Sequence, residues 1–170
     1  MALSYLFYGQ SPKQEFLVRC SYIEIYNECI TDLLDTKKTN LKIRETPKAG
    51  VAVLGVTAPF IANAQQALEV IQRGTAQRHV GETKMNEASS RSHSIFRMII
   101  ESKDKDTEEG AVRIGELNLV DLAGSERQSQ TQATGARLKE GANINKSLLI
   151  LGNVIAKLSD GNEKQHIPYR

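Results

Sequence analysis

Two segments of this 170-residue chain carry side chains suited to a phosphate and a divalent cation. In the first, Asn86-Glu-Ala-Ser-Ser-Arg-Ser-His93, the hydroxyls of Ser89 and Ser90 stand directly before the guanidinium of Arg91. Hydroxyl oxygens can ligate Mg²⁺ or hold a water, and Arg pairs with carboxylate or phosphate. Taken alone, the segment reads about as well as a polar loop whose Ser and Asn side chains satisfy its own backbone. In the second, Leu117-Asn-Leu-Val-Asp-Leu-Ala-Gly-Ser-Glu-Arg127, an apolar run delivers Asp121, followed by Gly124 and Glu126. Ligands of open α/β sheets bind beyond the carboxyl ends of strands. An Asp there can hold Mg²⁺ directly or through water, and a Gly exposes its N–H to a phosphate oxygen without a Cβ in the way. A strand-ending turn has the same D-x-x-G pattern, so this segment is also weak by itself. Together the two offer a Mg²⁺ pair, a hydroxyl of Ser89 or Ser90 with Asp121, and a possible latch between Arg91 and Glu126.

Positioning these groups requires a sheet. Residues 16–26 are rich in aromatic and β-branched types and predict a strand, and 27–34 predict a short helical turn. Residues 41–45 and 51–57 predict two short strands around a Pro-Lys-Ala-Gly turn, a hairpin. Asn63 and Gln66 have capping-box spacing, and Ala64, Leu68 and Ile71 recur at helical spacing, predicting a helix over 63–78. Strands are predicted over 95–102 and 114–120, joined by the charged connection 103–110. A last helix is predicted over 143–159, with Ile144, Leu148, Leu151, Ile155 and Leu158 as its apolar stripe. The mixture indicates an α/β fold.

Composition narrows the function classes. Hydrophobic residues make up 40% and charged residues 25%, as in an ordinary globular chain. No apolar run approaches the roughly 18 residues of a membrane span, so none is expected. The net charge of +2 is too small to point to nucleic acid; any basic face must be local. Cys20 and Cys29 have neither disulfide-framework nor metal spacing and read as reduced thiols, Cys20 buried and inert. His79 and His166 have no metal-like neighbours in sequence.

NEASSRSH resembles switch I of the kinesin motor domain, and DLAGSER resembles its switch II. SYIEIYNECITDLLD, GETKMNEASSRSHSIFR, LNLVDLAGSER, KEGANINKSLLILGNVIAKLSDG and HIPYR follow in the order of that family. The similarity covers residues 16–170, and RHVGETKMN and FRMIIES resemble the centromere-associated branch. The resemblance implies a partial P-loop NTPase motor domain with a central mixed sheet flanked by helices, binding ATP and Mg²⁺. It assigns Ser90 to Mg²⁺, Ser89 to the attacking water, and Asp121 to a Mg²⁺-bound water. Asn86 would lie near the nucleotide, and Gly124 would sense the γ-phosphate. Arg91 and Glu126 would close the site, with His93 in a supporting role. The last predicted helix resembles the relay helix that lies on the microtubule. Tubulin contacts would come from Arg137 and Lys139 before it, from Lys164, His166, Tyr169 and Arg170 after it, and from Arg44 and Lys48 in the hairpin. A cytoplasmic, cytoskeletal location follows, with the spindle or kinetochore as the finer expectation. So does a parent homodimer joined by a coiled coil outside this chain.

The chain departs from the family in two respects. The phosphate-binding loop G-x-x-x-x-G-K-S/T is absent, for no Gly-Lys pair occurs anywhere in the sequence. Residues 1–15 resemble nothing in that place, and the sequence stops at Tyr169-Arg170 within another family segment. The expectation is therefore a fragment, residues 16–170, of a microtubule-stimulated ATPase that lacks the P-loop strand. The alternative is a catalytically inactive product that binds tubulin or partners without hydrolysing ATP.

Overall fold

The computed structural model describes residues 13–46, 50–80, 91–105, 112–124, 136–160 and 167. Three long strands form its centre: β1 (Gln14–Tyr26), β6 (His93–Asp104) and β7 (Arg113–Asp121). β1 pairs antiparallel with β6 from Gln14↔Asp104 to Ile25↔His93, and β6 with β7 from Ser94↔Asp121 to Ser102↔Arg113. The short strands β2 (Cys29–Asp32) and β5 (Phe60–Ile61) both pair with β1, giving the order β2-β1-β6-β7. All pairings among the described residues are antiparallel. β3 (Ile43–Thr46) and β4 (Gly50–Val53) form the expected hairpin as a separate two-stranded sheet.

Residues 27–34 do not form the expected helical turn. Asn27 and Glu28 both have positive φ, 48° and 67°, and join β1 to β2 as a two-residue hairpin turn. Left-handed conformation at both turn positions matches the twist of the flanking strands, so β2 folds back on β1 at once. Asp32 at the end of β2 is fully buried and accepts backbone N–H bonds from Leu34 (2.8 Å), Asp35 (3.3 Å) and Thr57 (2.6 Å). One carboxylate thereby satisfies the donors of two loops that would otherwise be orphaned.

Strand alternation sorts the sheet into two faces. Val18, Cys20, Tyr22, Phe96 and Met98 face helix α1 (Ala64–Val80) and bury themselves against Ala67 and Val70. The cap of α1 forms as its spacing predicts. Asn63 Oδ1 accepts from Gln66 N (2.9 Å), and Gln66 Oε1 accepts from Ala62 N (2.8 Å). Gly74 lets the helix approach the Tyr22 ring. A Cβ there would lie 2.9 Å from Tyr22 Cε1 and closer still to Cδ1. Tyr22 in turn packs edge-on to Phe96 at a centroid distance of 5.8 Å.

The opposite face meets the β3–β4 hairpin and helix α2 (Ala136–Ser159), which starts seven residues before the predicted 143. Ser147, Ile150, Leu151 and Val154 turn toward the sheet across a cavity of about 620 Å³. Ile155 and Leu158 of the predicted stripe are exposed. β7 is the last strand of the sheet among the described residues, and its Ile114 is 70% exposed.

Candidate functional site

The capped start of α1 fixes the phase of the helix, and that phase carries Arg78 onto the buried line of Ala67, Val70 and Gly74. Arg78 is 6% exposed and meets three strands. Its Nε donates to Ser92 Oγ (3.2 Å), Nη2 to the Ser92 carbonyl (2.9 Å), and Nη1 to Ser94 Oγ (3.0 Å) and Asp121 Oδ2 (2.6 Å). Glu24 of β1 lies 3.9 Å from Nε. A guanidinium this deep needs both charge and hydrogen-bond partners, and this one has them. Sequence reasoning passed over Arg78. The available signal was a cation on an otherwise apolar helical line.

Asp121 ends β7 opposite Ser94, as the strand reading requires. One carboxylate oxygen is held by Arg78, while the side chain remains 66% exposed. The group is therefore oriented from the protein side and open on the other. Gly124 follows in irregular, half-buried chain, and Arg91 sits in a turn just before β6. Asn86, Ser89, Ser90 and Glu126 lie outside the described residues, so the Arg91–Glu126 latch lies outside them too.

His93 occupies the opposite face of the sheet. Its Nδ1 accepts the Ala123 backbone N–H (3.0 Å). The neutral ring then carries its proton on Nε2, which donates to Ser147 Oγ of α2 (2.9 Å). Burial lowers the His93 pKa below the usual imidazole value, the nearby Arg78 charge lowers it further, and Asp121 and Glu28 oppose them. The ring thus joins the chain just beyond Asp121 to the helix that follows. A second tie to α2 runs from Asn143 Nδ2 to Asn27 Oδ1 (2.7 Å), at the turn between β1 and β2.

Of the residues expected to face tubulin, Arg44 is exposed on β3, while Arg137 and Lys139 lie in the first turn of α2. Lys48, Lys164, His166, Tyr169 and Arg170 lie outside the described residues. Among the described residues no three of His, Cys, Asp and Glu gather as a metal-binding group.

The kinesin motor domain family matches residues 1–170. Kinesin-like protein KIN-7O of Arabidopsis thaliana is 54% identical over 169 residues, covering 95% of this chain and 13% of that protein. Centromere-associated protein E of Homo sapiens is 56% identical over 164 residues, covering 94% of this chain and 6% of that one. Among solved structures, a fast kinesin superposes with a TM-score of 0.83 at 44% identity, covering 96% of this chain and 46% of that chain. A KIF14 dimer, in a two-heads-bound state with AMP-PNP on a microtubule, superposes with a TM-score of 0.83 at 36% identity, covering 99% and 50%. The chain therefore spans about half of these solved motor chains and a small part of the curated relatives it matches. With the family model matching the whole chain and relatives more than half identical to it, this chain belongs to the kinesin motor domain family.

Proposed function

We propose that the chain supplies the nucleotide-sensing and microtubule-facing part of an ATP-driven motor. The observation that carries this reading is the continuous set of contacts from Arg78 and Asp121 on one face, past Ala123 and His93, to Ser147 on α2. Phosphoryl transfer depends on positioned charges, and loss of the γ-phosphate releases switch segments. A strand end wired to a long helix is suited to passing that change outward. The half-held, solvent-open Asp121 carboxylate fits a Mg²⁺-bound water, with the Ser90 hydroxyl as direct ligand. The cation would neutralise charge on the phosphates. Ser89 would orient water, Asn86 would lie beside the nucleotide, Gly124 would offer its N–H to the γ-phosphate, and Arg91 would pair with Glu126.

Arg44, Lys48, Arg137, Lys139, Lys164, His166, Tyr169 and Arg170 would form a local basic rim for acidic tubulin. The spindle or kinetochore is the proposed place of action, supported by the similarity to Centromere-associated protein E. The proposed parent assembly is a homodimer.

A second reading is favoured by the missing Gly-Lys pair: binding to tubulin without hydrolysis. Loss of one preorganised charge-stabilising donor lowers turnover by ~10²–10³, and a whole phosphate loop supplies several. Microtubule co-sedimentation at low and high salt, paired with phosphate-release measurement, tests both readings. The 170-residue chain should pellet with microtubules at low salt and release no phosphate above a protein-free control. Failure to pellet at low salt would remove the motor reading's microtubule half. Clear phosphate release would remove the inactive reading.

A further inference from the structure

On the face of the sheet opposite α1, β6 and β7 present Ile95 and Val120, apolar residues that suit a buried surface. Arg97, Glu116 and Asn118 interrupt that surface directly beneath the β3–β4 hairpin. Arg97 Nη2 donates to Glu116 Oε2 (2.7 Å), and Asn118 Nδ2 donates to Glu116 Oε1 (2.8 Å). Arg97 Nη1 reaches across and donates to the Val51 carbonyl of β4 (2.8 Å). Both hydrogen bonds hold the Glu116 carboxyl below its usual pKa, that from Arg97 first.

The chain on either side of the hairpin is tied to β2, by Leu41 N to the Ile30 carbonyl (3.1 Å) and by Thr57 N to Asp32 Oδ2 (2.6 Å), but between those ties little else fixes it. It forms its own two-stranded sheet. A cavity of about 390 Å³, walled by Ile23, Ile43, Val53 and Val56, separates it from the strands below. Gly55, at φ 77° and with nothing within 4 Å of where a Cβ would stand, follows β4 and packs against nothing there. Close packing, which fixes most elements of a fold, is therefore weak here. A semi-buried ion pair on an apolar face adds little to stability compared with apolar side chains of the same size, but it does select one geometry.

We propose that Arg97 is a positioning residue that, with Glu116, clamps the β3–β4 hairpin over the sheet and so aims Arg44 at the acidic surface of tubulin. This rests on the reading of the hairpin as a microtubule contact. The partner chemistry is a carboxylate-rich protein surface, and Arg97 acts on it only through the hairpin.

Arg97→Met keeps the apolar stem and removes the guanidinium. In the 170-residue chain, amide hydrogen exchange across 43–46 and 50–53 should speed up about tenfold, while β1 and β6 keep their protection. Arg97→Lys, which can reach Val51 or Glu116 but cannot fork to both, should fall between the two. In co-sedimentation, Arg97→Met should weaken microtubule binding several-fold, and its effect should shrink in an Arg44→Ala background. Unchanged hairpin exchange in Arg97→Met would overturn the clamp. A loosened hairpin with undiminished microtubule binding would overturn its role in aiming Arg44. If Arg44→Ala leaves binding intact, the hairpin reading itself fails, and the exchange result still decides the clamp.

Discussion

Arg78 and Asp121 meet at 2.6 Å with opposite exposures: the guanidinium is buried and the carboxylate is two-thirds in solvent. The pair is therefore energetically lopsided. Without Arg78, a solvated Asp121 remains, but Ser92 and Ser94, both buried, lose their donor. Without Asp121, the buried cation keeps both serines and Glu24.

Arg78→Ala should consequently destabilise the fold by ~2–4 kcal/mol, through lost charge-assisted hydrogen bonds and lost packing of a buried side chain. Asp121→Asn should cost ~1 kcal/mol or less, because most of its carboxylate is already hydrated. Urea unfolding of both variants checks the ranking. Equal losses would mean that the pair does not share its burden in this way.

His93 sets a pH dependence. Its pKa is lowered in the folded chain by burial and by Arg78, so between that value and the unfolded one of about 6.5 the unfolded chain binds more protons. Stability should be fully present above pH 6.5 and fall as pH drops through the folded pKa, where Nδ1 gains a proton and can no longer accept from Ala123. His93→Asn should flatten this part of the profile. Thermal melts from pH 7.5 to 5 give the test, and an identical slope in the variant would clear His93 of the effect.

Gly74→Ala sets two effects against each other. Ala favours a helix by up to ~1 kcal/mol over Gly. Its methyl would collide with the Tyr22 ring, which is itself held by Phe96, and overpacking costs ~1–3 kcal/mol. The melting temperature should fall. A rise would show that α1 can shift off the sheet freely.

The two thiols should behave differently. Burial pushes the Cys20 thiol up to about 11, with no exposure to solvent, whereas Cys29 is half-buried at the start of β2. Thiolate is the reactive species. At pH 8 a disulfide reagent should titrate one thiol quickly in the folded chain and the second only after denaturant is added.

The elements were legible wherever a local period or cap carried them. β1 follows from its aromatic and β-branched run, β6 from alternation, β7 from its apolar run and the hairpin from its turn residues, and the Asn63–Gln66 cap predicts the start of α1 to within a residue. The turn at Asn27–Glu28 was hidden because Glu is an unusual residue for positive φ. The early start of α2 was hidden because 136–141 has no apolar spacing, and the sheet-facing line shifts from Leu148 to Ser147 and Ile150. Asp121 could be read from its place at a strand end. For Arg78 the sequence shows only a cation on an apolar helical line, and the partners of Arg78 and His93 could not be read, because they lie 43, 30 and 54 residues away along the chain.

Strict alternation along β6 has a further consequence. Ser92, Ser94, Phe96 and Met98 report to α1 and its buried cation, while His93, Ile95 and Arg97 report to α2 and the hairpin. Two sets of side chains share one backbone, and they meet at the strand end, where Leu122 joins Asp121, held by Arg78, to the Ala123 N–H held by His93. A single inserted residue within β6 would exchange the two sets at once and scramble both. The spacing from Ser92 to Met98 is thus protected twice over, once by each face.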